Sequence, residues 1–245
     1  MRFLVFQHVD IEHPGIFRDF WEEAGIAWDA VELDAGEPVP PLTPYDVLVV
    51  MGGPMDVWQE DAHPWLVAEK AAIRHWVADL RRPFLGICLG HQLLAEAVDG
   101  TVGIASTPEV GVTQVGLTAE GRGDPLFTGF DNHMETFQWH GAEVKSLPAG
   151  SEILASNEAC AVQAFRFGGH AYGLQYHVEL TAATVAEWQE LPAYAASLEE
   201  ALGSDGAERM EAETAARLPA FNAAARRLND NFLKIVAAAQ AVHIE

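Results

Sequence analysis

Lysine is scarce in this chain. Only Lys70, Lys145 and Lys234 are present, and the 14 basic residues face 36 acidic ones, a formal net charge of −22. No basic run exceeds the pairs Arg81-Arg82 and Arg226-Arg227. Phosphate contacts need clustered Lys and Arg, so this balance argues against a nucleic-acid partner. It reads as a solvated surface and also fits a saline environment. Cysteine is scarce too: Cys88 and Cys160 are too few for a disulfide framework. No apolar run approaches the length of a membrane-spanning helix. The opening stretch Met1–Asp10 has an apolar run too short for a signal peptide and reads as a first core strand. A phosphate-binding P-loop, a zinc-ligand cluster and a dinucleotide fingerprint are all missing, so neither cofactor nor metal is implied. The expectation is a soluble cytoplasmic protein with no membrane partner.

The 245 residues, 49% of them hydrophobic, suffice for a single domain with a sizeable core. Apolar strand patterns at about 2–6, 46–50 and 83–87 alternate with helical patterns at about 15–25, 65–79 and 89–98. Alternation of this kind implies an α/β fold with parallel strands and right-handed crossovers. From about 110 to 177 the pattern turns strand-rich, with Val112–Leu117, Met134–Trp139, Glu152–Ser156 and Ala161–Arg166, which suits a small antiparallel patch. The stretch Gly36–Pro44 is a proline-stiffened connection within the domain.

Chemistry concentrates in three segments. The first is Gly86-Ile87-Cys88-Leu89-Gly90-His91-Gln92, between the apolar run Pro83–Leu85 and a helical pattern. A strand that turns abruptly into a helix with Cys at the corner is the thiol form of a nucleophile elbow. Glycines two before and two after the corner allow close backbone approach, and the helix N-terminus favours thiolate. The same pattern also describes a buried structural cysteine. The second segment is Gly173–Glu179, where an extended strand would put His177 and Glu179 on one face, as a base and its orienting acid. An isolated His-x-Glu is equally a satisfied histidine beside a solvated glutamate. The third is Asp46–Pro54, an apolar strand running into Gly52-Gly53, whose free backbone N–H groups could face an oxyanion. His91, inside the elbow, reads as a packing residue.

Taken in order, these segments resemble the class I glutamine amidotransferase family, and the likeness covers roughly residues 1–180. Asp61–Trp65 at a helix start, Trp139-His140-Gly141 and Gln163–Arg166 fit it as well. The similarity is greatest to free-standing relatives of the amidotransferase domain of GMP synthetase. It implies an open, mostly parallel, flavodoxin-like sheet flanked by helices. It also implies that Cys88 attacks the glutamine side-chain amide to form a γ-glutamyl thioester and release ammonia. His177 would be the base, Glu179 its orienting partner, and the N–H groups of Gly53 and Leu89 the oxyanion donors. Gln92 with the His140-Gly141 segment would hold the main-chain end of glutamine. Two departures stand out: Val178 replaces the usual proline between His and Glu, and Met55 follows Pro54 where some members have glycine.

Residues 181–245 form an Ala- and Glu-rich helical extension in which Thr181 is a candidate cap and Gly203–Gly206 a break. Met210, Leu218, Phe221, Leu228, Phe232, Ile235 and Val236 form a stripe that packs on the sheet domain or docks a partner. The small-molecule substrate is expected to be glutamine or another γ-glutamyl compound. Ammonia would be released freely or passed to a synthetase on another chain, since no fused synthetase domain follows. The alternatives are a γ-glutamyl peptidase acting on a larger amine, and a non-catalytic regulatory or binding module.

Overall fold

The first strand, β1 (Arg2–Gln7), sends its side chains alternately into two separate cores. Phe3 and Val5 join one cluster, Leu4 and Phe6 the other. β3 (Val47–Val50) divides the same way, Val47 and Val49 against Leu48 and Val50. A strand covered on both faces needs apolar residues at every position, which explains these continuous runs. The computed structural model describes residues 1–242 and contains one nine-stranded sheet.

The remaining strands are β2 (Ala27–Glu32), β4 (Phe84–Ile87), β5 (Thr101–Leu117), β6 (His133–Ser146), β7 (Ser151–Ser156), β8 (Ala164–Phe167) and β9 (Ala171–Leu174). Their order across the sheet is β2-β1-β3-β4-β9-β8-β7-β5-β6. The run from β2 to β9 is parallel, and every pairing from β9 to β6 is antiparallel. Helices α1 (Phe17–Glu23) and α7 (Gly206–Val242) cover one face. The other face is covered by α2 (Trp65–Arg74) and α3 (Leu89–Ala97). A short helix α4 (Ala119–Gly123) follows β5, while α5 (Thr184–Trp188) and α6 (Pro192–Leu202) join β9 to α7. No helix of the described residues is long and apolar enough to cross a membrane.

The structure departs from the sequence expectation in several places. β2 carries no apolar run because it is the sheet edge, and three of its six positions are only partly buried. The expected antiparallel strands are present, as a continuation of the same sheet led by the long β5–β6 hairpin. α2 ends its α-helical turns at Arg74 and continues as a wider π turn over His75–Asp79. β9 stops at Leu174, so His177 and Glu179 lie beyond a regular strand; His177 makes an isolated bridge to Phe137 of β6. Thr181 is not the residue before α5. Ala183 holds that place, while Thr181 and Thr184 brace the turn through the Thr181 N–H to Thr184 Oγ1, 2.9 Å.

The extension folds back on its own chain. Leu228, Phe232, Ile235 and Val236 of α7 enter the core beneath α1, and Met210 and Phe221 join a third cluster with Phe137, Trp139 and Trp188. Pro219 lies inside α7, close to the residues that pack on the site.

Candidate active site

β4 runs into α3 at Cys88, whose φ of 51° and ψ of −103° lie where an L-residue is strained. The strain is held from both sides: the Cys88 N–H donates to the Leu174 carbonyl at 2.8 Å, and the Gly90 N–H donates to the Met51 carbonyl at 3.1 Å. A Cβ on Gly86 would strike the Gly90 carbonyl, and one on Gly90 would strike the Val50 carbonyl. Both elbow glycines are therefore demanded by close backbone approach. Cys88 is buried at the foot of α3, and a Gln175 side-chain N–H points at its sulfur from 3.7 Å.

His177 and Glu179 meet across 2.8 Å, Nδ1 to Oε1, and both are buried. The Val178 N–H donates to Glu179 Oε2 at 2.8 Å, a bond that a proline at this position could not make. Trp188 of α5 packs edge-on against the imidazole at 4.5 Å. Burial works against charge on His177, but Glu179 and then Cys88 outweigh it and hold the imidazole pKa well above its usual value. Its Nε2 has no hydrogen-bond partner among the described residues.

A pocket of about 180 Å³ opens over Cys88. Gly53, Leu89, Gln92, His140 and Gly141, all singled out from the sequence, line it. A Cβ on Gly53 would lie 2.8 Å from Leu89 Cδ2 and 2.6 Å from Met55 Sδ, so the glycine turn sits hard against the first residue of α3. As that first residue, Leu89 has an N–H with no partner in the helix ladder. The side-chain N–H groups of Gln92 go to the Ala142 carbonyl, 3.2 Å, and to Gln175 Oε1, 3.1 Å. Both ring nitrogens of His140 are engaged, Nδ1 with the Ala142 carbonyl at 2.9 Å and Nε2 with Glu109 at 3.2 Å. His140 therefore shapes a wall and offers no free ring nitrogen. Cys160 lies apart from the pocket, fully buried, its thiol pushed up to about 12 by desolvation.

Other residues at the site escaped the sequence reading. Tyr194 and Ser197 of α6 line the pocket beside Cys88. The Trp139 indole N–H donates to Ser197 Oγ at 2.8 Å, and the Tyr194 hydroxyl donates to Glu12. Burial raises the Glu12 carboxyl to about 7, against the pull of His177 and the Tyr194 hydroxyl. Glu12 and Tyr194 are 182 residues apart, and no local pattern links them. Gln175 did carry a signal: it stands two residues before His177 in the same segment.

Residues 22–187 match the family profile described as glutamine amidotransferase class-I. The chain belongs to the class I glutamine amidotransferase family. Among its relatives, a glutamine amidotransferase-like protein of Salmonella typhimurium, YfeJ, is 31% identical over 73% of this chain and 75% of its own length. A glutamine-hydrolysing GMP synthase subunit of Saccharolobus solfataricus is 32% identical over 59% of this chain and 72% of its own. Among solved structures, a glutamine amidotransferase from Thermotoga maritima superimposes with a TM-score of 0.84 at 29% identity, covering 96% of this chain and 98% of that one. That breadth means this class I amidotransferase shares its helical extension, as well as its catalytic sheet, with another member.

Proposed function

We propose that this amidotransferase hydrolyses the side-chain amide of glutamine through Cys88, His177 and Glu179. The observation that carries the reading is the strained Cys88 at the floor of the pocket, beside a buried imidazole held by a carboxylate at 2.8 Å. His177 takes the thiol proton, and the sulfur bonds to the amide carbon. The oxyanion that forms accepts from the N–H groups of Gly53 and Leu89. The C–N bond then breaks, the proton on His177 goes to the leaving nitrogen, and ammonia departs from a γ-glutamyl thioester. Water, deprotonated by His177, attacks that thioester and releases glutamate and the thiol. Glu179 orients the imidazole and supports its charge. Gln92 and the His140-Gly141 wall line the part of the pocket assigned to the main-chain end of the substrate.

The pocket over Cys88, about 180 Å³, has room for the side chain of a glutamine or of another γ-glutamyl amide. Core and extension form one working unit in this reading, because α6 supplies part of the pocket wall. Delivery of the ammonia to a synthetase chain is the second reading, favoured by the likeness to the glutamine-hydrolysing GMP synthase of Saccharolobus solfataricus. The test is glutamate and ammonia release from glutamine and from γ-glutamyl amides of increasing bulk. Turnover of glutamine and of small amides is expected, with none after Cys88→Ala. Full turnover by Cys88→Ala would overturn the mechanism, and a preference for large amines would replace the glutaminase with a γ-glutamyl peptidase.

A further inference from the structure

Behind the glycine turn lies a buried histidine–glutamate pair with no part in the steps above. His8, just past the end of β1, is completely buried. Its Nδ1 is 2.7 Å from the Gly52 carbonyl oxygen and its Nε2 is 2.9 Å from Glu69 Oε1. A carbonyl can only accept, so Nδ1 carries a proton. The second nitrogen faces a buried carboxylate that needs a donor. Burial opposes charge on His8, yet Glu69, then the Gly52 carbonyl and Glu12, raise its pKa above the usual value. Trp65 stacks on the ring at 5.4 Å with 16° between planes. Trp65 and Glu69 are four residues apart on α2, so one helical face holds both the ring plane and the charge of His8.

The Gly52 carbonyl and the Gly53 N–H belong to one peptide group. That group is planar and trans, so its C=O and N–H point in opposite directions. Whatever fixes the carbonyl also aims the N–H. The turn needs such fixing, because two successive glycines leave the backbone free to rotate this peptide. Larger residues could not stiffen it: a Cβ on Gly52 would strike Glu12 Oε2, and one on Gly53 would lie 3.0 Å from His8 Cβ.

We propose that His8 and Glu69 are positioning residues that set the Gly52-Gly53 peptide as an oxyanion donor. The imidazolium pulls the Gly52 carbonyl toward itself, which turns the Gly53 N–H toward the pocket over Cys88. A charged donor on that oxygen also draws electron density across the peptide and makes the N–H a stronger donor. Glu69 keeps the imidazole charged where water cannot. The titratable groups facing His8 are Glu69 from α2 and Glu12 from the loop after β1; Glu12 in turn faces His177, Glu179 and Tyr194. This proposal rests on the reading of Gly53 as an oxyanion donor.

The test follows the ¹⁵N resonance of the Gly53 amide in the full chain, since that nitrogen reports the hydrogen bond on its own peptide carbonyl. In the wild type it is expected to titrate together with the His8 imidazole, at a midpoint above the ordinary histidine value of about 6.5. Glu69→Gln, which keeps shape but removes charge, should move that midpoint down by about one pH unit. It should also lower kcat roughly tenfold to hundredfold while KM stays within about twofold, the pattern of support given only to the transition state. His8→Gln, which can still donate to the Gly52 carbonyl but carries no charge, should lose the Gly53 titration and a similar share of kcat. A Gly53 resonance indifferent to the His8 titration overturns the proposal, and that measurement needs no variant. Unchanged kcat in both variants, or a rise in KM alone, overturns it as well. Failure of the catalytic reading shows separately, as turnover by Cys88→Ala.

Discussion

At the scale of single residues, the two cysteines occupy opposite environments. Cys88 lines the pocket, within reach of an imidazole and the Gln175 amide, whereas burial holds Cys160 protonated. A glutamine-like electrophile is therefore expected to label Cys88 and spare Cys160, as peptide mapping by mass spectrometry would read out. Labelling of Cys160 alone would contradict the assignment. His177→Ala should cost more in kcat than Glu179→Ala, because the base moves protons while the acid orients it. Steady-state kinetics of the two variants decide the order. A larger loss in Glu179→Ala would reverse the roles. The spacing of His177 and Glu179 suggested their pairing without deciding it, and it assumed a strand that ends at Leu174. An irregular segment bridged to Phe137 brings the two side chains together instead.

At the scale of elements, the elbow was legible because its glycines have a local steric cause, visible in the sequence as a pattern around one cysteine. For the extension, self-packing of its apolar stripe was a reading the sequence offered, while its place over the pocket was not legible. The apolar stripe of α7 packs on its own chain, and α6 reaches over the pocket. Nothing in an Ala- and Glu-rich helix says which surface its stripe will meet. Removing the chain after Gly206 takes Met210, Leu228, Phe232 and Val236 out of the cores. At about 2 kcal/mol for each buried side chain, that loss is comparable to the whole stability of a domain, about 5–15 kcal/mol. The truncated protein should aggregate or lose its cooperative melting transition in calorimetry. A truncation that melts like the full chain would mean that α7 is a detachable docking element.

At the scale of the whole molecule, buried histidines tie stability to pH. His91 sits under β9 with Phe165 edge-on at 5.0 Å, and burial lowers its pKa from 6.5 to about 3. Between those two values the unfolded chain binds a proton there that the folded chain does not. Stability therefore falls as the pH is lowered through that window, by about 1.4 kcal/mol per unit from this residue. Urea unfolding at several pH values between neutrality and about 4 should show a shallower acid loss in His91→Leu than in the wild type. Equal slopes would place the acid sensitivity elsewhere. Features with a local physical cause could be read from the amino-acid order alone: the apolar runs of doubly covered strands, the glycines of the elbow, and the family pattern carried by Cys88, His177 and Glu179. The long-range pairings came from the packing. Tyr194 meets Glu12, α6 walls the pocket, and α2 sets Glu69 and Trp65 around His8 behind Gly52. Such contacts depend on how distant segments come together, and a buried charge leaves no periodicity along the chain that carries it.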